Sequence, residues 1–355
     1  MKKISILFLC LILLCAPGFA GQGEYQKYSY SFFNTFDTVI TIIGYTKNKA
    51  QFDAVAAIAE EQFIYYHQLF DQYHEYPGIT NIYTVNQNAA KEPVVVPEEL
   101  FNLIALCVEK QPLLHNTVNI AMGGVLTLWH DARDIAESNP ASAALPDMEA
   151  LQQAAQHMDI NNVLLNMEES SIFFADPEIT LNLGAIAKGY AAELVAQTLL
   201  ESDMPTFIIN AGGNVRTGHP PLDGRKAWGV ALQDPNAAVG SVETAPDTLF
   251  LHDLSVVTSG DYQRYFILDG VRYHHIVSPV TLMPSNNMRS VTVVTQDSGL
   301  ADLLSTTLFL MTYEEGMAFL QDYPDVGAVW VLNDMSVRMT ENMHQYAASH
   351  GATAR

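Results

Sequence analysis

The segment Leu183-Gly-Ala-Ile-Ala-Lys-Gly-Tyr190 constrains the fold more than any other stretch of the chain. A short β run over residues 179–183 passes there into a helix over residues 185–201, through a turn built only from small residues. A turn without bulk lets a ligand come close to the backbone. The start of the helix offers free N–H groups and the positive end of its dipole, both suited to phosphate. Lys188, one turn in, would bring a cation to the same anion. Gly184 and Gly189 would equally permit close helix–sheet packing, and the segment alone leaves both uses open.

The rest of the chain reads as strands and helices interspersed without regular alternation. Residues 28–45 are β-branched and aromatic and predict a strand. Phe52, Val55, Ala59, Phe63, Tyr66 and Phe70 then recur at three- and four-residue spacing and predict a long amphipathic helix. A Pro77-Gly78 turn opens a loop, and Pro97 starts a second helix that runs to about Lys110. Residues 136–146 read as a surface excursion, followed by a short helix over 148–158. Further strands are expected at 163–166, 170–174, 207–210, 227–232, 249–251 and 290–294. Asp269-Gly270 marks a hairpin between 266–267 and 273–276. Helices follow over 299–310 and 313–320, and 327–332 pairs with 337–339 across Asn333-Asp334. Frequent hairpins without a repeating strand–helix alternation favour an α+β fold over a doubly wound sheet.

The N-terminus carries Lys2 and Lys3, an apolar run from Ile4 to Leu14 and then Ala16-Pro-Gly-Phe-Ala20, the layout of a secretory signal. The run is shorter than the roughly 18 apolar residues of a membrane span. Residues 1–20 are therefore expected to be a signal cleaved after Ala20 and residues 21–355 a single domain. Lipid anchoring at Cys15 is the alternative, with Leu14 standing where a small residue is usual. The expected location is the periplasm or the outer face of the cytoplasmic membrane. Cys107 is the only cysteine beyond the signal, so neither a disulfide framework nor a cysteine metal cluster is available. The net charge of −22 repels nucleic acid and anionic lipid. It also repels a phosphate-bearing ligand, so such a site needs local compensation.

Three further segments could carry chemistry. Asn210-Ala-Gly-Gly-Asn-Val-Arg-Thr-Gly218 follows a strand but fails both nucleotide fingerprints, since His219 stands where a P-loop lysine belongs and no Gly-x-Gly-x-x-Gly is present. It could wall a flat ring or simply turn the chain. Tyr273-His-His-Ile-Val-Ser-Pro279 puts His274 and His275 on opposite faces of a strand, which argues against a shared metal. One of them could serve as a general base. Asp302, Ser305 and Thr306 share a helix face inside an apolar run. The carboxylate needs a partner there: either Mg²⁺, which takes few protein oxygens and fills the rest of its shell from phosphate, or a helix-capping arrangement.

Taken together and in order, these segments resemble the ApbE family of FAD:protein FMN transferases, from about Tyr28 to Met339. Asn182-Leu-Gly-Ala-Ile-Ala-Lys-Gly-Tyr190 matches the family's D-L-G-G-I-A-K-G-Y, and Asn210 to Asn214 match N-A-G-G-D. Thr258 to Tyr262 and His274 to Thr281 match T-S-G-D-Y…H-H-I-I-D-P-x-T, and Ala301 to Thr306 match A-D-A-L-S-T. Thr35-Phe36-Asp37-Thr38 looks like T-M-G-T, and Thr117 to Gly124 precede a matching Leu128-Trp129. The resemblance implies a T-fold-like arrangement of mixed sheets and packed helices with FAD in a cleft between two halves. It implies FAD contacts at Phe36, Tyr73, Thr117, Val118, Asn119, Asn182, Lys188, Gly212, Gly213, Ser259, Gly260, Asp261 and Val277. The Ala185 carbonyl, Asp302, Ser305 and Thr306 would hold Mg²⁺, with His275 as base. Asn182, Asn119 and Ser278 stand where many relatives have Asp, and Leu282 replaces a glycine.

The implied reaction moves FMN from FAD to a Thr or Ser hydroxyl of an exported or membrane flavoprotein with a Ser/Thr-Gly-Ala-Thr type motif, releasing AMP. An FAD diphosphatase and a non-catalytic flavin-binding protein are the alternatives. A periplasmic solute-binding protein would need repeated Rossmann-like halves, which are absent. The chain ends Ser349-His-Gly-Ala-Thr353-Ala-Arg without the upstream Asp of the acceptor motif, so self-modification is not expected.

Overall fold

A computed structural model describes residues 24–238 and 244–355. The expected signal, with Cys10 and Cys15, lies outside the described residues.

The expected single strand over 28–45 is a hairpin of β1 (Gln26–Thr35) and β2 (Thr38–Thr46). The chain turns at Phe36 and Asp37, which both take positive φ, 51° and 52°. A two-residue turn of this hand usually advertises itself with glycine or asparagine, and here it does not. Helix α1 (Lys49–Phe70) begins at Asn48, whose side chain accepts the Gln51 N–H, and buries its predicted stripe. The expected loop after Gly78 contains α2 (Ile82–Asn88), capped by Asn81. Then come β3 (Val94–Val95), α3 (Glu98–Lys110), α4 (Gly123–Ser138), α5 (Met148–Ala154), β4 (Val163–Asn166) and β5 (Ser171–Phe174).

Residues 179–183 are extended but form no strand of a sheet. Thr180 makes a lone bridge with Met122, the Asn86 side chain bonds both backbone groups of Leu181, and Asn182 N–H donates to the Ile120 carbonyl. Its backbone groups are satisfied by one carboxamide and a neighbouring loop, so no ladder is needed.

The chain continues through α6 (Ala187–Leu200), β6 (Phe207–Ala211), β7 (Asn214–Thr217), β8 (Trp228–Ala231), β9 (Thr248–Leu251), β10 (Ser255–Gly260), β11 (Tyr265–Leu268) and β12 (Val271–His274). It ends with β13 (Ser290–Thr295), α7 (Ser298–Leu310), α8 (Tyr313–Phe319), β14 (Gly327–Val331) and β15 (Val337–Met339). The hairpin predicted at Asp269-Gly270 is present, with Phe266 opposite Tyr273.

Eight strands form one sheet in the order β1-β2-β6-β7-β10-β13-β14-β15, antiparallel at every pairing. The main core joins one face of this sheet to α1, α6 and α7 through Ile40, Phe52, Phe63, Phe207, Leu304 and Trp330. The β8–β9 ribbon packs a smaller core of Val230, Leu249 and Leu251 with Val215 and Val294 of the large sheet. Helices and antiparallel sheets combine as an α+β fold.

Helices α6 and α7 meet at Gly189. A Cβ there would lie 2.3 Å from the Ser298 carbonyl oxygen and 2.5 Å from Asp302 Cβ, neither of which is the free end of a flexible chain. Gly189→Ala is expected to destabilise the fold by about 2–3 kcal/mol, seen as a lowered urea midpoint at unchanged slope. Gly124→Ala in α4, whose Cβ would meet only Ala154 Cβ at 3.5 Å, serves as the neutral control.

Candidate active site

The cleft begins where α6 starts. Three N–H groups at the start of this helix are already engaged: Ile186 and Ala187 N–H donate to the Leu183 carbonyl, and Gly189 N–H donates to Asp302 Oδ2 at 2.7 Å. The Asp302 carboxylate itself complements the helix dipole. These N–H groups are therefore engaged within the fold, and the cationic groups of the cleft are side chains.

Asp302 and Lys188 form the cleft floor. Burial pushes the Asp302 carboxyl up, and the Lys188 charge opposes that shift. Burial pushes the Lys188 ammonium down, with Asp302 opposing in turn. Lys188 Nζ donates to Asn214 Oδ1 on β7. Next to Asp302, the Ser259 hydroxyl bonds Ser305 at 2.8 Å and Thr306 at 3.2 Å, while Ser305 also donates to the Asp302 carbonyl. Thr306 reaches the cleft; Ser305 is fully buried behind it.

One wall carries Thr117, Val118, Asn119, Asn182, Gly184 and Ala185. Asn182 Oδ1 accepts the Gly184 N–H at 2.8 Å, and Asn119 Oδ1 accepts the Ala121 N–H at 2.9 Å. Ser278 Oγ likewise accepts from Val280 N–H at 3.2 Å. These uncharged residues make the turn bonds that an Asp would make, without adding negative charge.

His275 faces the cleft from beyond β12. Its Nδ1 lies 3.3 Å from the Arg264 carbonyl, which can only accept, so the proton sits on Nδ1 and Nε2 is left as an acceptor. Burial first, then the Arg264 guanidinium, lower its pKa to about 3. His274 is committed elsewhere: Nε2 donates to the Ser285 carbonyl and Nδ1 accepts the Ile276 N–H. Both ring nitrogens of His274 are thus engaged within the fold.

The mouth contains side chains that the sequence did not single out. Arg264 donates to the Phe36 carbonyl at 3.2 Å, and Phe36 N–H donates to His67 Nδ1. Tyr73 lies against His130, ring centres 4.9 Å apart, and Arg133 donates to His130 Nδ1. Asp71 accepts from Tyr73 N–H, His74 and Tyr76, which together outweigh burial and hold its carboxyl below the usual range. Trp129, Tyr273 and Phe266 stack along the side next to Val277. The cavity measures about 290 Å³ and opens to solvent.

Of the residues expected at the site, Phe36, Tyr73, Thr117, Val118, Asn119, Asn182, Ala185, Lys188, Ser259, Gly260, His275, Val277, Asp302 and Thr306 line this one cleft. Four do not. Gly212 and Gly213 turn the chain between β6 and β7 with φ of 59° and 98°, and a Cβ on Gly212 would strike Thr38. Asp261 pairs with Arg289 at 2.8 Å and Arg272 at 3.1 Å, and Ser305 lies behind Thr306. Arg264 follows the Thr258–Tyr262 motif by two residues, so its charge stands beside residues already singled out. Arg133 reaches the cleft only because α4 exists, and two leading glycines hid that helix.

The profile of the ApbE family matches residues 36–330. An FAD:protein FMN transferase of Treponema pallidum (strain Nichols) is 31% identical over 340 residues, covering 92% of this chain and 90% of the relative. One from Klebsiella pneumoniae (strain 342) is 32% identical over 259 residues, covering 73% and 77%. The crystal structure of the ApbE protein from Thermotoga maritima superposes with a TM-score of 0.78 at 27% identity, over 90% of this chain and 99% of that one. The flavin transferase ApbE from Vibrio cholerae shares the fold, with a TM-score of 0.73 at 22% identity over 92% and 98% of the two chains. On sequence and fold alike, the chain belongs to the ApbE family.

Proposed function

We propose that this chain is an FAD:protein FMN transferase that moves FMN from FAD to a Thr or Ser hydroxyl of a second protein and releases AMP. The observation that carries this reading is an aromatic-walled cleft where Lys188, Arg133 and Arg264 balance Asp37, Asp71 and Asp302, in a chain of net charge −22. A cleft spared the negative excess of the rest of the chain can admit a diphosphate, and its flat side chains favour ring systems.

The floor suits Mg²⁺. Asp302, the Thr306 hydroxyl and the Ala185 carbonyl offer oxygen alone, and one bond from Gly189 leaves the carboxylate with lone pairs to spare. No group of three or more His, Cys, Asp or Glu able to hold a metal occurs among the described residues, so a cation here would complete its shell from water and phosphate. Ser305, engaged with Ser259 and the Asp302 carbonyl, would steady the site without ligating. When bound, the ion supplies charge neutralisation at the diphosphate.

The acceptor oxygen attacks the FMN phosphorus, the bridging P–O bond breaks, and AMP leaves with the bridging oxygen. The hydroxyl proton passes to His275 Nε2. Lys188 and the two arginines hold the phosphoryl oxygens as charge redistributes. The acceptor is a separate exported or membrane-bound flavoprotein with a Ser/Thr-Gly-Ala-Thr type motif, and the enzyme works outside the cytoplasm. The chain's own tail is tied down elsewhere: Ser349 donates to Asp247, and Lys226 N–H donates to the Ala354 carbonyl. None of its last seven residues lines the cleft, which favours an acceptor in trans.

Asp302→Asn keeps an acceptor for Gly189 N–H and removes the charge, so it is expected to fold and to lose about 10²–10³-fold in covalent flavin labelling of an acceptor with FAD and Mg²⁺. Wild-type labelling in this variant would sink the metal site. Free FMN from FAD and Mg²⁺ without acceptor would indicate the diphosphatase instead. The lowered pKa of His275 fixes a second outcome: an ordinary imidazole protonates as pH falls through about 6.5, but this one stays neutral until about 3. His275 should therefore add no acid limb of its own to the kcat/KM for FAD between pH 8 and 5, and an inflection near 6.5 that disappears in His275→Gln would show that burial does not hold this imidazole neutral.

A further inference from the structure

Beneath the cleft floor lies a second polar layer made from the same three elements. Above, Lys188 of α6, Asn214 of β7 and Asp302 of α7 meet. Below, Glu193 of α6 takes the place of Lys188, Arg216 of β7 that of Asn214, and Ser298 of α7 that of Asp302. Glu193 Oε2 accepts from Arg216 Nε at 2.9 Å and from the Ser298 backbone N–H at 2.9 Å, and Oε1 accepts from Arg216 Nη2 at 3.4 Å. A third guanidinium nitrogen donates to the Thr217 carbonyl. The two side chains are only 9% and 7% exposed.

A buried ion pair is a poor source of stability, because desolvation consumes most of the Coulomb gain and well-packed apolar residues often do as well or better. Its use here must be directional. The α6–α7 contact is built from Gly189, Ser298 and Gly299, where a Cβ on Gly299 would lie 3.2 Å from the Tyr190 backbone. Smooth small-residue surfaces let helices slide, whereas Glu193 bonds β7 and the first turn of α7 at once. It thereby sets the axial position and rotation of α7 against α6, and Asp302 stands one turn further along α7.

We propose that Glu193, Arg216 and Ser298 form a positioning layer that sets Asp302 against Lys188 for Mg²⁺ and the diphosphate. This inference rests on the transferase reading above. Its test is the double variant Glu193→Leu/Arg216→Met, which removes both charges together and should stay folded. The Mg²⁺ concentration needed for half-maximal FAD binding, read from quenching of flavin fluorescence, is expected to rise about ten-fold, while kcat at saturating Mg²⁺ and FAD changes little. A folded double variant with the wild-type Mg²⁺ midpoint and KM would overturn the positioning role. If the double variant does not fold, the same titration on Arg216→Lys decides, because lysine keeps the charge and loses the planar fork. Failure of the wild-type protein to bind FAD or release AMP would strike the transferase reading itself, a different result from an unchanged midpoint.

Discussion

The bond from Gly189 N–H to Asp302 Oδ2 is the contact on which the rest of the site depends. It requires α6 and α7 to approach so closely that only a glycine fits, and it buries a carboxylate that cannot be left alone. That carboxylate draws Lys188 to its side, and Lys188 is fixed in turn by Asn214 at the start of β7. One hydrogen bond thus ties two helices and a central strand to the cleft floor. Gly189 is accounted for here by helix packing, Gly184 and Ala185 stand in the cleft wall, and the same packing leaves the Asp302 carboxylate at the cleft.

Electrostatics then divides the molecule in two. The chain as a whole repels anions, yet in the cleft Lys188, Arg133 and Arg264 balance Asp37, Asp71 and Asp302, and Asn119 and Asn182 add no charge to its wall. Asn182 and Ser278 accept the N–H bonds of their turns without bringing a carboxylate to the cleft. Ser278 is turned into its own loop rather than towards His275.

Much of this was legible in the sequence, for definite physical reasons. The α1 stripe and the Asp269-Gly270 hairpin follow from local periodicity and turn chemistry, which neighbouring elements reinforce. The site residues were legible as motifs because chemistry restricts residue type. Tertiary exceptions were not. The Phe36–Asp37 turn uses two non-glycine residues at positive φ, so the β-like run showed no break. Residues 179–183 alternate like a strand but draw their hydrogen bonds from Asn86, and no local pattern announces a partner nearly a hundred positions away. Gly212 and Gly213 could be read as a ring wall or as a turn, and they form a turn with positive φ in which Gly212 also admits Thr38.

Leu282 joins stability to the shape of the cleft, because a bulky residue at φ 59° costs on the order of 1–2 kcal/mol. The strain is held by two bonds: Leu282 N–H donates to the Ser278 carbonyl at 2.8 Å, and Trp129 Nε1 donates to the Leu282 carbonyl at 2.9 Å. In return its side chain is buried against Trp129, Phe266 and Val277, a gain of about 2 kcal/mol that offsets the strain. A glycine would relax the backbone and leave a hole behind the aromatic wall of the cleft. The leucine therefore exchanges local comfort for a rigid wall, and the site keeps its shape because a strained residue is locked in place from both sides.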